Sequence, residues 1–260
     1  MKIILGGARG SFPVAGAEQT RYGGETFALL AEGADGAQVL FDAGSGVRRL
    51  LGRLRPGGAL FFTHVHLDHV LGLPLLEKAW PARLISPRGG LREELARVFA
   101  PPIWPVKLPA AEYPAPTAPI EIGGLRVSWQ AVAHPDGCCA YRVDEPATGA
   151  SAVVATDVEW AAMTPRAQDA FALFARGADL LVFDAHFRPE ECAAHRGWGH
   201  SSWADAADAA RRCGARTLWL MHHAPERTDA QIDVMAAEAA AAFKGAVCVA
   251  AGAEWESEHE

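Results

Sequence analysis

Between Ala59 and His69 the chain reads Ala-Leu-Phe-Phe-Thr-His-Val-His-Leu-Asp-His, so an apolar run delivers three histidines and an aspartate within six residues. Imidazole nitrogen and carboxylate oxygen are the donors that hold zinc and similar divalent ions. The i, i+2 spacing of His64 and His66 lets a strand end aim both rings at one ion. Asp68 and His69 follow closely enough to turn toward a second ion. A polar loop with incidental histidines is the bland alternative, and four potential ligands directly after an apolar strand argue against it. The predicted chemistry is hydrolysis by two divalent cations. Zinc suits the donors best, and manganese or iron fits the same geometry.

Such a cluster needs several strands that end near one another. Strand-length apolar runs bounded by Gly, Pro or Asp occur at Lys2–Leu5, Thr26–Ala31, Gln38–Phe41, Ala59–Thr63, Leu125–Ala133, Ser151–Thr156, Asp179–Phe183 and Thr217–Met221. Helical patterns fall between the later runs, at Leu91–Phe99, Pro165–Arg176, Ser202–Cys213 and Asp229–Phe243, the last preceded by Thr228 as an N-cap. This alternation predicts a layered α/β architecture. Seven of the 17 prolines lie in Pro101–Pro119, which reads as a loop. Because candidate ligands lie on both sides of that loop, residues 1–260 read as a single domain.

The composition narrows the field of partners. Half of the 260 residues are hydrophobic, 21% are charged and the net charge is -7, a soluble globular balance that disfavours polyanions. No apolar run approaches the ~20 residues needed to cross a bilayer, and the N-terminal MKIILGGARGSFPV reads as a strand and loop rather than a signal peptide. Five cysteines (Cys138, Cys139, Cys192, Cys213 and Cys248) form no paired framework and point to reduced thiols in the cytoplasm. The adjacent Cys138 and Cys139 sit in a strand-like stretch and should face opposite ways.

The T-H-x-H-x-D-H run at Thr63–His69 resembles the signature of the metallo-β-lactamase superfamily. That resemblance implies a four-layer αβ/βα sandwich with the metals at one edge of its two sheets. It assigns His64, His66 and His134 to one metal and Asp68, His69 and a last histidine to the other, with Asp157 bridging. His134 follows the run Leu125–Ala133 and Asp157 closes Ser151–Thr156. Taken alone, they would read as a turn histidine and a helix cap. Either His222 or His223 could be the last ligand. The family's pattern favours His222 and leaves His223 to line the pocket.

Within the superfamily, Gly7-Ala-Arg-Gly-Ser-Phe-Pro13, Arg21-Tyr-Gly-Gly-Glu-Thr26 and Asp42-Ala-Gly-Ser-Gly46 resemble a branch that includes RNase Z and cyclic-phosphate phosphodiesterases. Glu25 stands where that branch usually has Asn. Asp42 is expected to support a ligand rather than bind metal. Gly197-Trp-Gly-His-Ser-Ser202 resembles the branch's G-H-S-T segment, which makes His200 the implied general acid. Asp184 takes the place of a glutamate that would orient it, although Phe183 and His186 depart from the pattern there. His195 reads as a surface residue.

The implied activity is hydrolysis of a small nucleotide or cyclic phosphate through a metal-bridging hydroxide, with Asp68, His200 and Asp184 assisting. Lactone or thioester hydrolysis, RNase Z-like cleavage of RNA and a non-catalytic metal-bound sensor are the competing readings. Nucleic acid is the less favoured partner and stays open, as does a homo-oligomer. His66 stands where oxygen-reducing relatives usually carry Glu, which disfavours redox chemistry.

Overall fold

The computed structural model describes residues 1–258. The first sheet takes β1 (Lys2–Gly7), β2 (Ala28–Glu32), β3 (Gln38–Phe41), β4 (Ala59–Phe61) and β5 (Arg83–Ile85). The second takes β6 (Ile120–Ile122), β7 (Leu125–Val132), β8 (Cys138–Glu145), β9 (Ala150–Ala155), β10 (Leu180–Asp184), β11 (Thr217–Met221) and β12 (Ala246–Cys248). The last strand, β13 (Glu254–Glu256), returns to the first sheet beside β1, giving the orders β13-β1-β2-β3-β4-β5 and β12-β11-β10-β9-β8-β7-β6. β3, β4 and β5 run parallel, as do β9, β10, β11 and β12.

Alternation along the strands sorts side chains into three cores. In β2, Leu29 and Ala31 enter the space between the sheets, while Ala28 and Leu30 face outward. There they meet α1 (Val47–Leu50), α2 (Leu67–Val70) and α3 (Leu91–Val98) through Val47, Leu50, Val70, Leu91 and Leu95. In β9, Ala152 and Val154 point between the sheets. Val153 and Ala155 point toward α4 (Pro165–Phe174), α5 (Trp203–Cys213) and α6 (Asp229–Ala242). Strands buried on both faces read as continuous apolar runs, which is why they were visible in the sequence. The result is the expected helix–sheet–sheet–helix sandwich. Cys138 and Cys139 fall into opposite cores, as their adjacency predicts.

Side-chain caps fix the helix starts. Thr228 accepts from Gln231 N–H at α6, and Ser202 and Asp205 form the reciprocal pair at α5. Several expected strand limits move, two of them for a shared reason. Thr26 lies outside β2 because its N–H donates to Ser45 Oγ (2.8 Å) and its hydroxyl donates to the Asp68 carbonyl (2.7 Å). Thr63 lies outside β4 because its N–H donates to Asp42 Oδ1 (2.8 Å). Side-chain acceptors have replaced the ladder at both positions. The sequence patterns missed β5, β6, β12 and β13, since three residues are too few to show a period. The Pro-rich stretch forms no helix or strand, and its Trp104, Leu108 and Tyr113 pack on the core beneath α3.

Candidate metal centre

The ends of strands from both sheets converge at one edge of the sandwich. β4 runs through Phe62 and Thr63 to His64 and His66, and α2 opens at once with Asp68 and His69. Opposite them, β7 leads to His134, β9 to Asp157 and β11 to His222, while β10 ends on Asp184. The second sheet grips the end of β4 directly: Tyr141 Oη donates to the Phe62 carbonyl (2.7 Å), and Cys139 N–H donates to the Thr63 carbonyl (3.1 Å). Asp42, Asp157 and His222 all adopt left-handed backbone, with φ of 54°, 57° and 65°. Each such residue costs of order 1–3 kcal/mol and swings its side chain out of strand direction, here toward the cluster.

Asp157 stands at the middle of the cluster. Its Oδ1 lies 3.8 Å from His64 Nε2 and 3.7 Å from His134 Nε2, and His66 Nδ1 is 3.1 Å from His134 Nε2. Its Oδ2 lies 3.1 Å from His69 Nε2 and 3.3 Å from His222 Nε2. Asp68 Oδ2 completes the second group, 3.2 Å from His69 Nε2 and 3.4 Å from His222 Nε2. Two donor groups thus flank one carboxylate, with one of its oxygens facing each.

The surrounding hydrogen bonds set the ring tautomers. Thr63 Oγ1 donates to Asp42 Oδ2 (2.6 Å), so it accepts from His64 Nδ1 (3.0 Å). His69 Nδ1 donates to Asp42 Oδ2 (2.8 Å), and His134 Nδ1 donates to the Gly199 carbonyl (2.9 Å). These bonds use the outward nitrogens, so the Nε2 atoms face inward, and Nε2 of His64, His69 and His222 is buried without a hydrogen-bond partner. Orphaned buried nitrogens beside carboxylates are costly unless a cation satisfies them. The donor set therefore fits divalent metal. Burial and the charge of neighbouring His69 push His64 well below the usual histidine range, and burial also lowers His134; both are neutral rings, as a ligand must be. Burial opposes ionisation of Asp157, yet the surrounding histidines, His222 foremost, hold it well below the usual carboxylate range.

His200 stands against this cluster, its ring 5.0 Å from that of His222 and its Nδ1 2.8 Å from Asp184 Oδ2. Burial disfavours the charged ring, but the charge and hydrogen bond of Asp184 outweigh it and lift His200 to about 9. Asp184 is held in turn by N–H donors from Asp157, His186 and Ser201, each at 3.1 Å.

All seven residues expected to bind metal meet here, and His200 and Asp184 pair as anticipated. Two placements differ from expectation. His223 does not line the pocket: it is fully buried, with Nε2 3.2 Å from the Val249 carbonyl and its ring edge-on to Tyr22, because the left-handed backbone at His222 turns that ring into the cluster instead. His195 is half-buried rather than on the surface, stacked on Phe187 at 4.5 Å. Glu25 pairs with Arg48 and Arg49, both at 3.0 Å. His186, a departure from the branch's pattern, is buried and stacks on His200 at 4.4 Å and 14°. Its i, i+2 spacing from Asp184 at a strand end was the available signal. Glu159 gave none; it accepts N–H bonds from Gly197 (2.8 Å) and Gly199 (2.9 Å), and so holds the loop that orients His134.

Residues 37–223 match the beta-lactamase superfamily domain. The chain belongs to the metallo-β-lactamase superfamily. A relative named ribonuclease Z, from Haloarcula marismortui, is 28% identical over 83% of this chain and 86% of its own length. Two solved structures share the metallo-β-lactamase fold. One is the metallo-β-lactamase fold protein YhfI from Bacillus subtilis, with TM-score 0.75, 22% identity and 98% of both chains covered. The other is a diphosphatase from the PhnP family, with TM-score 0.72, 18% identity and 98% of this chain and 97% of that one covered. This superfamily member is a metal-dependent hydrolase, and its His/Asp clusters are of the kind that hold divalent ions.

Proposed function

We propose that the chain hydrolyses the phosphodiester of a small nucleotide or cyclic phosphate. It would hold two divalent ions, zinc by preference, one at His64, His66 and His134 and the other at Asp68, His69 and His222, with Asp157 between them. The observation that carries this reading is the buried His200–Asp184 pair set against a cluster of metal donors. When bound, the ions supply a water acidic enough to give hydroxide near neutral pH and offset charge on the phosphate oxygens. His200 donates a proton from Nε2 to the departing oxygen. Asp184 holds Nδ1–H and keeps the ring charged until that moment. Asp68, fixed through Oδ2 by Ser11 N–H at 2.8 Å, receives the proton of the attacking water. A thioester expels a thiolate that needs less protonation than an alkoxide, so the His200–Asp184 pair favours phosphate over thioester. Five free cysteines suit a reducing cytoplasmic setting, and among the described residues no helix is long and apolar enough to cross a membrane.

His200→Ala tests the assignment: turnover of a small diester should fall about 10²–10⁴-fold while metal content stays at the wild-type level. Parallel loss of metal would make His200 a ligand or a structural residue instead. A second reading, cleavage of transfer RNA precursors, is favoured by the names of the sequence relatives. The net charge of -7 works against a polyanion. Trimming of a precursor by protein that leaves small diesters intact would reverse the order.

A further inference from the structure

A cavity of about 520 Å³ lies beside His200, which forms part of its wall. Ala161, Ala162, Pro189 and Ala193 give it an apolar lining, and Arg196 is its one arginine. None of the seven cluster residues lines it, so His200 is the group common to the cavity and the candidate metal centre. The volume is that of an ordinary small-molecule site.

Charge in the cavity is unequally answered. Glu159 is bonded to the N–H groups of Gly197 (2.8 Å) and Gly199 (2.9 Å). Asp205 accepts from Ser202 N–H (2.9 Å) and Ser202 Oγ (2.7 Å), in the first turn of α5 where the helix dipole favours an anion. Nearby Arg188 and Arg227 pair with Glu190 and Glu191 at 3.0 Å and 2.6 Å. Among the described residues Arg196 has no carboxylate within ion-pair distance, so its charge is the one left for a ligand. The wall carrying it is also preformed. Besides the Glu159 clamp, His195 stacks on Phe187 and its Nδ1 donates to the Glu191 carbonyl (2.9 Å).

We infer that this cavity is the leaving-group subsite and that it selects an alcohol with a flat apolar body and an anionic substituent, phosphate or carboxylate, read by Arg196. The inference rests on the phosphodiester reading above. A ring that borders both the metal centre and the cavity delivers its proton to an oxygen lying between them, and whatever that oxygen carries then extends into the cavity. The P–O bond breaks as His200 supplies the proton, and the departing alcohol remains against Ala161, Ala162 and Arg196 until it leaves.

The test compares methyl 4-nitrophenyl phosphate with methyl 3-carboxy-4-nitrophenyl phosphate on metal-loaded protein. The wild type should prefer the carboxylated leaving group by roughly tenfold or more in kcat/KM, chiefly through KM, as a charge-assisted pair provides. That preference should fall to about one in Arg196→Ala and survive in part in Arg196→Lys. A wild type indifferent to the carboxylate, or a preference unchanged in Arg196→Ala, overturns the subsite. Binding of free 5-hydroxy-2-nitrobenzoate, measured by calorimetry, separates this inference from the reaction. If no diester is cleaved but that affinity drops about tenfold in Arg196→Ala, the subsite stands and the phosphodiester reading fails. If the affinity ignores Arg196, the subsite fails whatever the turnover.

Discussion

Alanine at Gly199 and alanine at Gly197 impose the same backbone strain and differ in what the new methyl group meets. Both glycines are left-handed, with φ of +87° and +84°. A Cβ at Gly199 would lie 2.1 Å from His134 Nδ1, short of the 3.4 Å of ordinary contact by about 1.3 Å, and 2.5 Å from Pro135 Cδ, whereas nothing lies within 4 Å of one at Gly197. The strain costs about 1–3 kcal/mol at either position, at roughly 2–4 °C of Tm per kcal/mol for a chain of this size. Gly199→Ala also displaces the His134 ring from its bond to the Gly199 carbonyl, adding about 0.5–1.5 kcal/mol. Loss of a group that orients a metal ligand lowers metal affinity about 10–100-fold. Zinc affinity, measured by competition with a chelator, should therefore fall by that factor in Gly199→Ala and hold within about twofold in Gly197→Ala. The metal-free Gly199→Ala variant should also melt below Gly197→Ala, because its Cβ must displace Pro135 as well as His134. Equal zinc affinities in the two variants would refute the claim that His134 ligates metal in an orientation set by Gly199.

Three further predictions rest on separate contacts. Asp42→Asn keeps the shape at a left-handed position but removes the charge facing His69 Nδ1, so metal affinity should drop about 10–100-fold with the fold retained; circular dichroism and metal analysis on one sample check both halves. Chelation should lower Tm because buried Asp68 and Asp157 lose their counter-charge, and added zinc should restore about 2.7 kcal/mol at a hundredfold excess over Kd; a Tm indifferent to chelator contradicts the fit of the site to metal. Burial works against the Glu25 carboxylate, but hydrogen bonds and charge from Arg49, with Arg48, still hold it below the usual range. Its stabilisation is therefore present above the unfolded value of about 4.3 and is lost as pH falls through the lower folded value. Glu25→Gln should cost no more than about 1 kcal/mol at neutral pH, and the gap should close in acid denaturation below about pH 4.

The sequence by itself determined the elements whose signal is local. His64, His66, Asp68 and His69 lie within one turn after an apolar strand, so their chemistry could be read without the fold. The same holds for the doubly buried strands, whose apolar runs follow from having a core on each face, and for the cap at Thr228. Tertiary structure decided what depends on direction and distance. His222 and His223 are adjacent and chemically identical, and the choice between them is made by a left-handed φ of 65° at His222 that turns one ring into the cluster and leaves the other under Tyr22. Asp157 becomes the central carboxylate because β9 ends opposite β4, a juxtaposition set by how two sheets pack. His186 and Glu159 matter through a ring stacked on His200 and a clamp on Gly197 and Gly199, across 14 and about 40 positions of chain respectively. The cavity beside His200 has no motif at all. It exists because two loops from different strands of one sheet leave space between them, and such space is a property of packing that residue types and spacing do not encode.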